Sequence, residues 1–97
     1  MTYNYDGEDV TLNITQYTDG NTAVLINCTN GEPFGRLSVN TGVDLPENWI
    51  AVDTNNLPDA VDFIEDNNLG KHTGYSIPSG FCVYPVYELN IEKFNAE

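Results

Sequence analysis

The amino-acid sequence predicts an α+β domain: an antiparallel sheet of four to five strands, a β-meander plus a long C-terminal strand, with one helix packed on one face. Three observations predict it. Val10, Leu12 and Ile14 alternate with polar neighbours at the strand period of two. Asp19-Gly20 and Asn30-Gly31 stand between apolar runs, where hairpin turns demand positive φ. Leu57, Ala60, Val61 and Ile64 then change to the helical spacing i, i+3, i+4, i+7.

Taken in order, residues 8–15 form the first strand, with Asp6-Gly7-Glu8-Asp9 as a flexible, acidic lead-in. Residues 22–28 follow the Asp19-Gly20-Asn21 turn and are apolar on both faces at their centre, as a middle strand should be. Residues 34–40 return after Asn30-Gly31 as the third strand. Asp44-Leu45-Pro46-Glu47 breaks the pattern, and Trp49-Ile50-Ala51-Val52-Asp53 is a short strand. Asp53, Thr54, Asn55 and Asn56 can cap a helix, and Pro58 suits its first turn. The helix therefore spans residues 57–67, and Gly70 closes it in the left-handed conformation.

Residues 71–79 read as a loop holding the only histidine, His72. The last strand covers residues 80–91, with Phe81, Val83, Pro85, Tyr87, Leu89 and Ile91 on one face; Pro85 marks an edge or a bulge. The predicted core comprises Val10, Leu12, Ile14, Leu25, Leu37, Val39, Trp49, Val61, Ile64, Phe81, Val83 and Tyr87. All 97 residues fall in one domain, without linker, repeat or low-complexity tract.

Charge narrows the function. Fifteen Asp and Glu face three Lys and Arg, a formal net charge of −12. A body of this length is about 30 Å across, and duplex DNA carries roughly 18 phosphates over that distance. The charge density thus approaches that of a nucleic-acid backbone, which excludes direct nucleic-acid binding and makes a basic partner the complement. Halophilic acidity fits poorly with 13 asparagines and 19% charged residues. The plainer reading is solubility, because net charge keeps small domains apart.

No membrane span or secretory leader is legible, since the longest apolar run is Ala23-Val24-Leu25-Ile26 and the N-terminus lacks a basic region. The expected setting is the cytoplasm, with Cys28 and Cys82 reduced, buried and structural. Their separation matches no metal-ligand spacing. Neither Asp6-Gly7-Glu8-Asp9 nor Asp53-Thr54-Asn55-Asn56 continues to the Gly and Glu of a calcium loop. No catalytic residue, cofactor or metal is expected; a hydrolase built on His72 or a carboxylate pair is the weakest reading.

The helix carries the sharpest signal. Asp59, Asp62, Glu65 and Asp66 occupy its outer face, and no basic residue lies between Arg36 and Lys71. Glu65 and Asp66 oppose the helix dipole, and Asp62 repels Asp66 one turn away, each by a few tenths of a kcal/mol. Local rules broken without local gain point to a functional surface. Asp6, Glu8 and Asp9 form a second acidic cluster, and Tyr3, Tyr5 and Tyr17 are candidate aromatic anchors.

Val52-Asp53-Thr54-Asn55-Asn56, Ser79-Gly80-Phe81-Cys82-Val83-Tyr84-Pro85-Val86-Tyr87-Glu88 and the run from Pro33 to Asn40 carry a resemblance. Over residues 12–91 the chain resembles a family of small uncharacterised proteins encoded by phages and mobile elements of gut and lactic-acid bacteria. The resemblance supplies no catalytic residues. Its mobile-element setting implies interaction with the host, and small acidic phage proteins include anti-CRISPR and anti-restriction inhibitors. The expected function is inhibition of a host nucleic-acid-targeting defence complex, anti-CRISPR in the favoured form. The chain would act as an acidic DNA mimic or occlude a basic groove. Its partner would be the basic surface of a Cas effector or restriction enzyme, engaged through Asp59, Asp62, Glu65 and Asp66, with Asp6, Glu8 and Asp9 second. The alternative is a non-catalytic accessory or regulatory domain whose acidity serves solubility.

Overall fold

The computed structural model describes residues 2–95 of the chain. Its strands are β1 (Tyr3–Tyr5), β2 (Glu8–Gln16), β3 (Thr22–Cys28), β4 (Pro33–Arg36), β5 (Ser38–Val39), β6 (Trp49–Val52), β7 (Gly70–Ser79) and β8 (Cys82–Leu89). Helix α1 (Ala60–Asp66) lies between β6 and β7, and α2 (Ile91–Asn95) follows β8. The α+β class expected from the sequence is the class of the structure. The strands divide between two antiparallel sheets, however, in the orders β1-β2-β3-β4 and β5-β6-β8-β7.

The division happens at Leu37. Residues 34–40, expected as one strand, break there because Leu37 belongs to both sheets. Its N–H donates to Val24 in β3 at 2.9 Å, and its carbonyl accepts from Asp53, just beyond β6, at 2.9 Å. Its side chain is fully buried in the core shared by both sheets. Ser38 beside it is buried too, and its Oγ accepts the Val24 N–H at 2.9 Å. A strand that changes sheets leaves no mark in a period-two pattern.

The acidic lead-in is also a defined structure. Asp6 (φ 50) and Gly7 (φ 89) both hold positive φ, so they form a type I′ turn between β1 and β2. The register sets Tyr3 against Val10 and Tyr5 against Glu8. Both tyrosines are buried against Phe63 of α1, with ring centroids 6.2 and 4.8 Å away. They complete the core rather than serve as exposed anchors. Tyr17 is half-buried, and its hydroxyl meets Ser38 at 3.0 Å.

Helix α1 is shorter than the 57–67 span the spacing predicts. A residue before proline is driven out of the helical region, which stops Leu57 from opening the helix. Asp53 instead organises its own turn, accepting from the Asn56 N–H at 3.2 Å. At the other end the left-handed residue is Asn68 (φ 55), not Gly70. Leu69 then plunges into the core, fully buried. Gly70 opens β7, where a Cβ would stand 2.7 Å from the Glu88 carbonyl oxygen. Its requirement is a close approach of backbones.

Residues 71–79, expected as a loop, are most of β7, paired to β8 across a bulge between His72 and Ser76. Of the predicted core, Val10, Leu37, Ile64 and Tyr87 are buried, and Leu12, Ile14, Leu25, Val39, Trp49 and Val61 are half-buried. Phe81 and Val83 are exposed, a correction. They lie where the β7–β8 hairpin runs beyond the core, whereas Tyr87 and Leu89, on the same face as Val83, meet it. Among the described residues no helix is long and apolar enough to cross a membrane.

Candidate functional site: an acidic hollow between α1 and β1

The type I′ turn and the helix converge. Asn4, Tyr5 and Asp6 from β1 and its turn face Asp59, Asp62, Phe63, Asp66 and Asn67 from α1 and its flanks. Together they line an open hollow of about 490 Å³. Asp59, Asp62 and Asp66 reach it because positions i, i+3 and i+7 share one helix face. Asp6 reaches it because the β1–β2 hairpin docks against α1 through Tyr5 and Phe63. No Lys or Arg is part of its lining. Two acidic segments more than fifty positions apart in the chain thereby become one surface.

Asp6 has its pKa raised above the usual carboxylate range, first by a side-chain hydrogen bond with Asp59, then by burial and by the Asp59 charge. Two carboxyls that face each other repel when both are ionised, and a cation between them relieves the repulsion. Beneath the pair, the Tyr5 hydroxyl is buried and has no hydrogen-bond partner among the described residues. Burial, Asp6 and then Asp59 push its pKa up to about 12. It stays a neutral phenol.

The other expected contact residues lie outside this hollow. Glu65 sits about 100° around the helix from Asp66 and accepts a hydrogen bond from the Tyr87 hydroxyl. Burial and that bond push Tyr87 up to about 12. Glu65 ties α1 to β8. Asp9 is opposite Asn4, whose Nδ2 donates to it at 3.5 Å. Glu8 is beside Cys28, 3.9 Å from its Sγ. Asn4 and Asn67 line the hollow without having been anticipated. The Asp6-Gly7 dipeptide, a hairpin signal in its own right, was the mark that would have placed Asn4 there.

Nucleophilic chemistry finds little footing. Cys28 and Cys82 are free and half-buried rather than fully buried. Burial, Glu8 and Glu32 raise the Cys28 pKa, which keeps the thiol protonated and inert. His72 Nδ1 accepts the Gly74 N–H at 2.8 Å, and its ring packs edge-on to Tyr87. Neither cysteine contacts it among the described bonds. No group of three or more His, Cys, Asp or Glu among the described residues has the geometry to hold a metal ion.

No curated protein and no solved structure matches the chain. A family model does, over residues 11–96, which runs from Thr11 within β2 through α2 and takes in all of the hollow except Asn4, Tyr5 and Asp6. The chain belongs to the family described as a domain of unknown function, DUF4313.

Proposed function

We propose that this chain binds the basic surface of a nucleic-acid-handling protein complex through the acidic hollow, its carboxylates standing where phosphates would. The observation that carries the reading is the convergence of Asp6, Asp59, Asp62 and Asp66 in one hollow with no basic residue in its lining. Charge kept for solubility alone needs only dispersion. Like charges gathered in one concavity gain from a Lys or Arg that enters. In its most specific form the chain is a phage or mobile-element inhibitor of a host defence complex, an anti-CRISPR or anti-restriction protein. It then acts in the bacterial cytoplasm by mimicking DNA or occluding its groove.

Ten of the fourteen acidic residues among the described residues lie outside the lining of the hollow, which favours the second reading, an accessory domain kept soluble by its charge. Titration of the wild type against a purified Cas effector or restriction complex separates the two. The mimic binds, loses affinity steeply between about 50 and 200 mM salt, and is displaced by excess duplex DNA. Absence of binding to any such complex contradicts the proposal.

A further inference from the structure

The floor of the acidic hollow holds a group whose hydrogen bonding is incomplete. Tyr5 is only 4% exposed, and its hydroxyl is the one buried side-chain polar atom without a hydrogen-bond partner among the described residues. Tyr5 lines the hollow together with Asp6, Asp59, Asp62 and Asp66. Asp6 and Asp59 both act on its hydroxyl electrostatically, which sets the hydroxyl under the place where those two carboxyls meet. A buried hydroxyl left without a partner destabilises the empty protein, so an entrant that supplies one is favoured.

The lining selects that entrant. Its charged groups are all carboxylates and Tyr5 is a neutral phenol, so the hollow offers acceptors to a cationic donor. Asn67 adds another, because its Nδ2 donates to the Phe63 carbonyl at 2.9 Å and its amide oxygen is left to accept. Among the described residues no three acidic groups have the geometry to hold a metal ion, which points to an organic cation. The floor is aromatic, with the Tyr5 and Phe63 rings 4.8 Å apart. A Lys ammonium is a compact, strongly hydrated charge and is poorly matched to such a floor. A guanidinium is flat and more weakly hydrated, carries five N–H donors in a fixed fork, and stacks on aromatic rings.

We infer that the hollow is a socket for one arginine side chain of the protein partner, its guanidinium bridging Asp6 and Asp59 while one N–H donates to the Tyr5 hydroxyl oxygen. The inference rests on the hollow being the contact for a basic surface, and it names the residue that enters. Charge attracts any basic side chain; the phenol and the aromatic floor distinguish arginine from lysine. One hydrogen bond to a neutral hydroxyl is worth roughly 2- to 10-fold in affinity.

Two blocked tripeptides that differ only in the central residue, Gly-Arg-Gly and Gly-Lys-Gly, test this by titration into the full chain, followed by NMR amide shifts. The wild type should bind the arginine peptide more tightly, with the largest shifts at residues lining the hollow. Tyr5→Phe keeps the ring and removes only the oxygen. It should weaken the arginine peptide by roughly 2- to 10-fold and leave the lysine peptide unchanged. With nothing bound, the same variant should have a higher urea midpoint than the wild type, since it no longer buries an unpartnered hydroxyl. Equal affinity of the wild type for both peptides, or an arginine affinity that Tyr5→Phe leaves unchanged, overturns the arginine socket while the basic-surface reading stands. A lower urea midpoint for Tyr5→Phe also overturns it, because the hydroxyl would then already have a partner. Binding of neither peptide overturns it as well, and titration against the purified complex then decides the broader reading by itself.

Discussion

Asp6 is the residue on which the hollow turns, and its identity serves two ends. At φ 50 it belongs to the few side chains that tolerate the left-handed region, which closes the β1–β2 hairpin. Its carboxyl then lies against Asp59, which raises its pKa above 3.8. Between 3.8 and that raised value the folded chain holds a proton that the unfolded chain has lost, so stability falls as pH rises through this window. Asp6→Asn keeps the turn, since Asn also accepts positive φ, and removes the confrontation. The variant should have a higher urea midpoint than the wild type at pH 7, and the difference should shrink as pH falls through the window. Equal midpoints at pH 7 would mean that the two carboxyls do not interact. Sequence alone gave the acidity of this segment without its place. Asp6-Gly7 is as strong a turn signal as Asp19-Gly20, yet it lacks a preceding apolar run because Tyr3 and Tyr5 are separated by Asn4.

At the scale of elements, strands marked by alternation or by an apolar run were legible and those held by their neighbours were not. β2 alternates, and β3 and β6 are short apolar runs buried on both faces. β7 carries none, because Gly74 and Pro78 interrupt Lys71-His72-Thr73 and Tyr75-Ser76-Ile77; its strand geometry comes from pairing with β8. Alternation in β8 identified which residues share a face but not where the core beneath that face ends, so Tyr87 is buried while Val83 is not. Gly70 shows the same limit of local reading. It looked like a helix cap, but it is demanded by the passage of β8. Gly70→Ala would place Cβ 2.7 Å from the Glu88 carbonyl oxygen, a backbone atom that cannot swing aside. The substitution should cost about 1–3 kcal/mol in chemical denaturation, as overpacking does. Asn68→Gly, at the true left-handed position, should be neutral or slightly stabilising. A neutral Gly70→Ala would contradict the close approach, and a destabilising Asn68→Gly would contradict the left-handed role of Asn68.

The whole molecule is a compact body with a Cα radius of gyration of 12.6 Å, so −12 charges are crowded over a small surface. Their distribution matters more than their sum. The helix pattern disclosed Asp59, Asp62 and Asp66, because three residues on one face follow from helical spacing alone. It could not separate Glu65, whose hydrogen bond to Tyr87 comes from β8, twenty-two positions away. Nor could it bring in Asp6. The central claim is that carboxylates in the hollow, and not total acidity, recognise a basic partner. Two variants with the same net charge test it most directly. One converts Asp6, Asp59, Asp62 and Asp66 to Asn; the other converts Glu32, Asp44, Glu47 and Glu92, exposed and outside the hollow, to Gln or Asn. With both folded by circular dichroism, affinity for a purified Cas effector or restriction complex is compared at one salt concentration. The account predicts that the hollow variant loses binding at least tenfold, about 1.4 kcal/mol or more, while the second stays close to wild type. Equal losses in the two variants would contradict it.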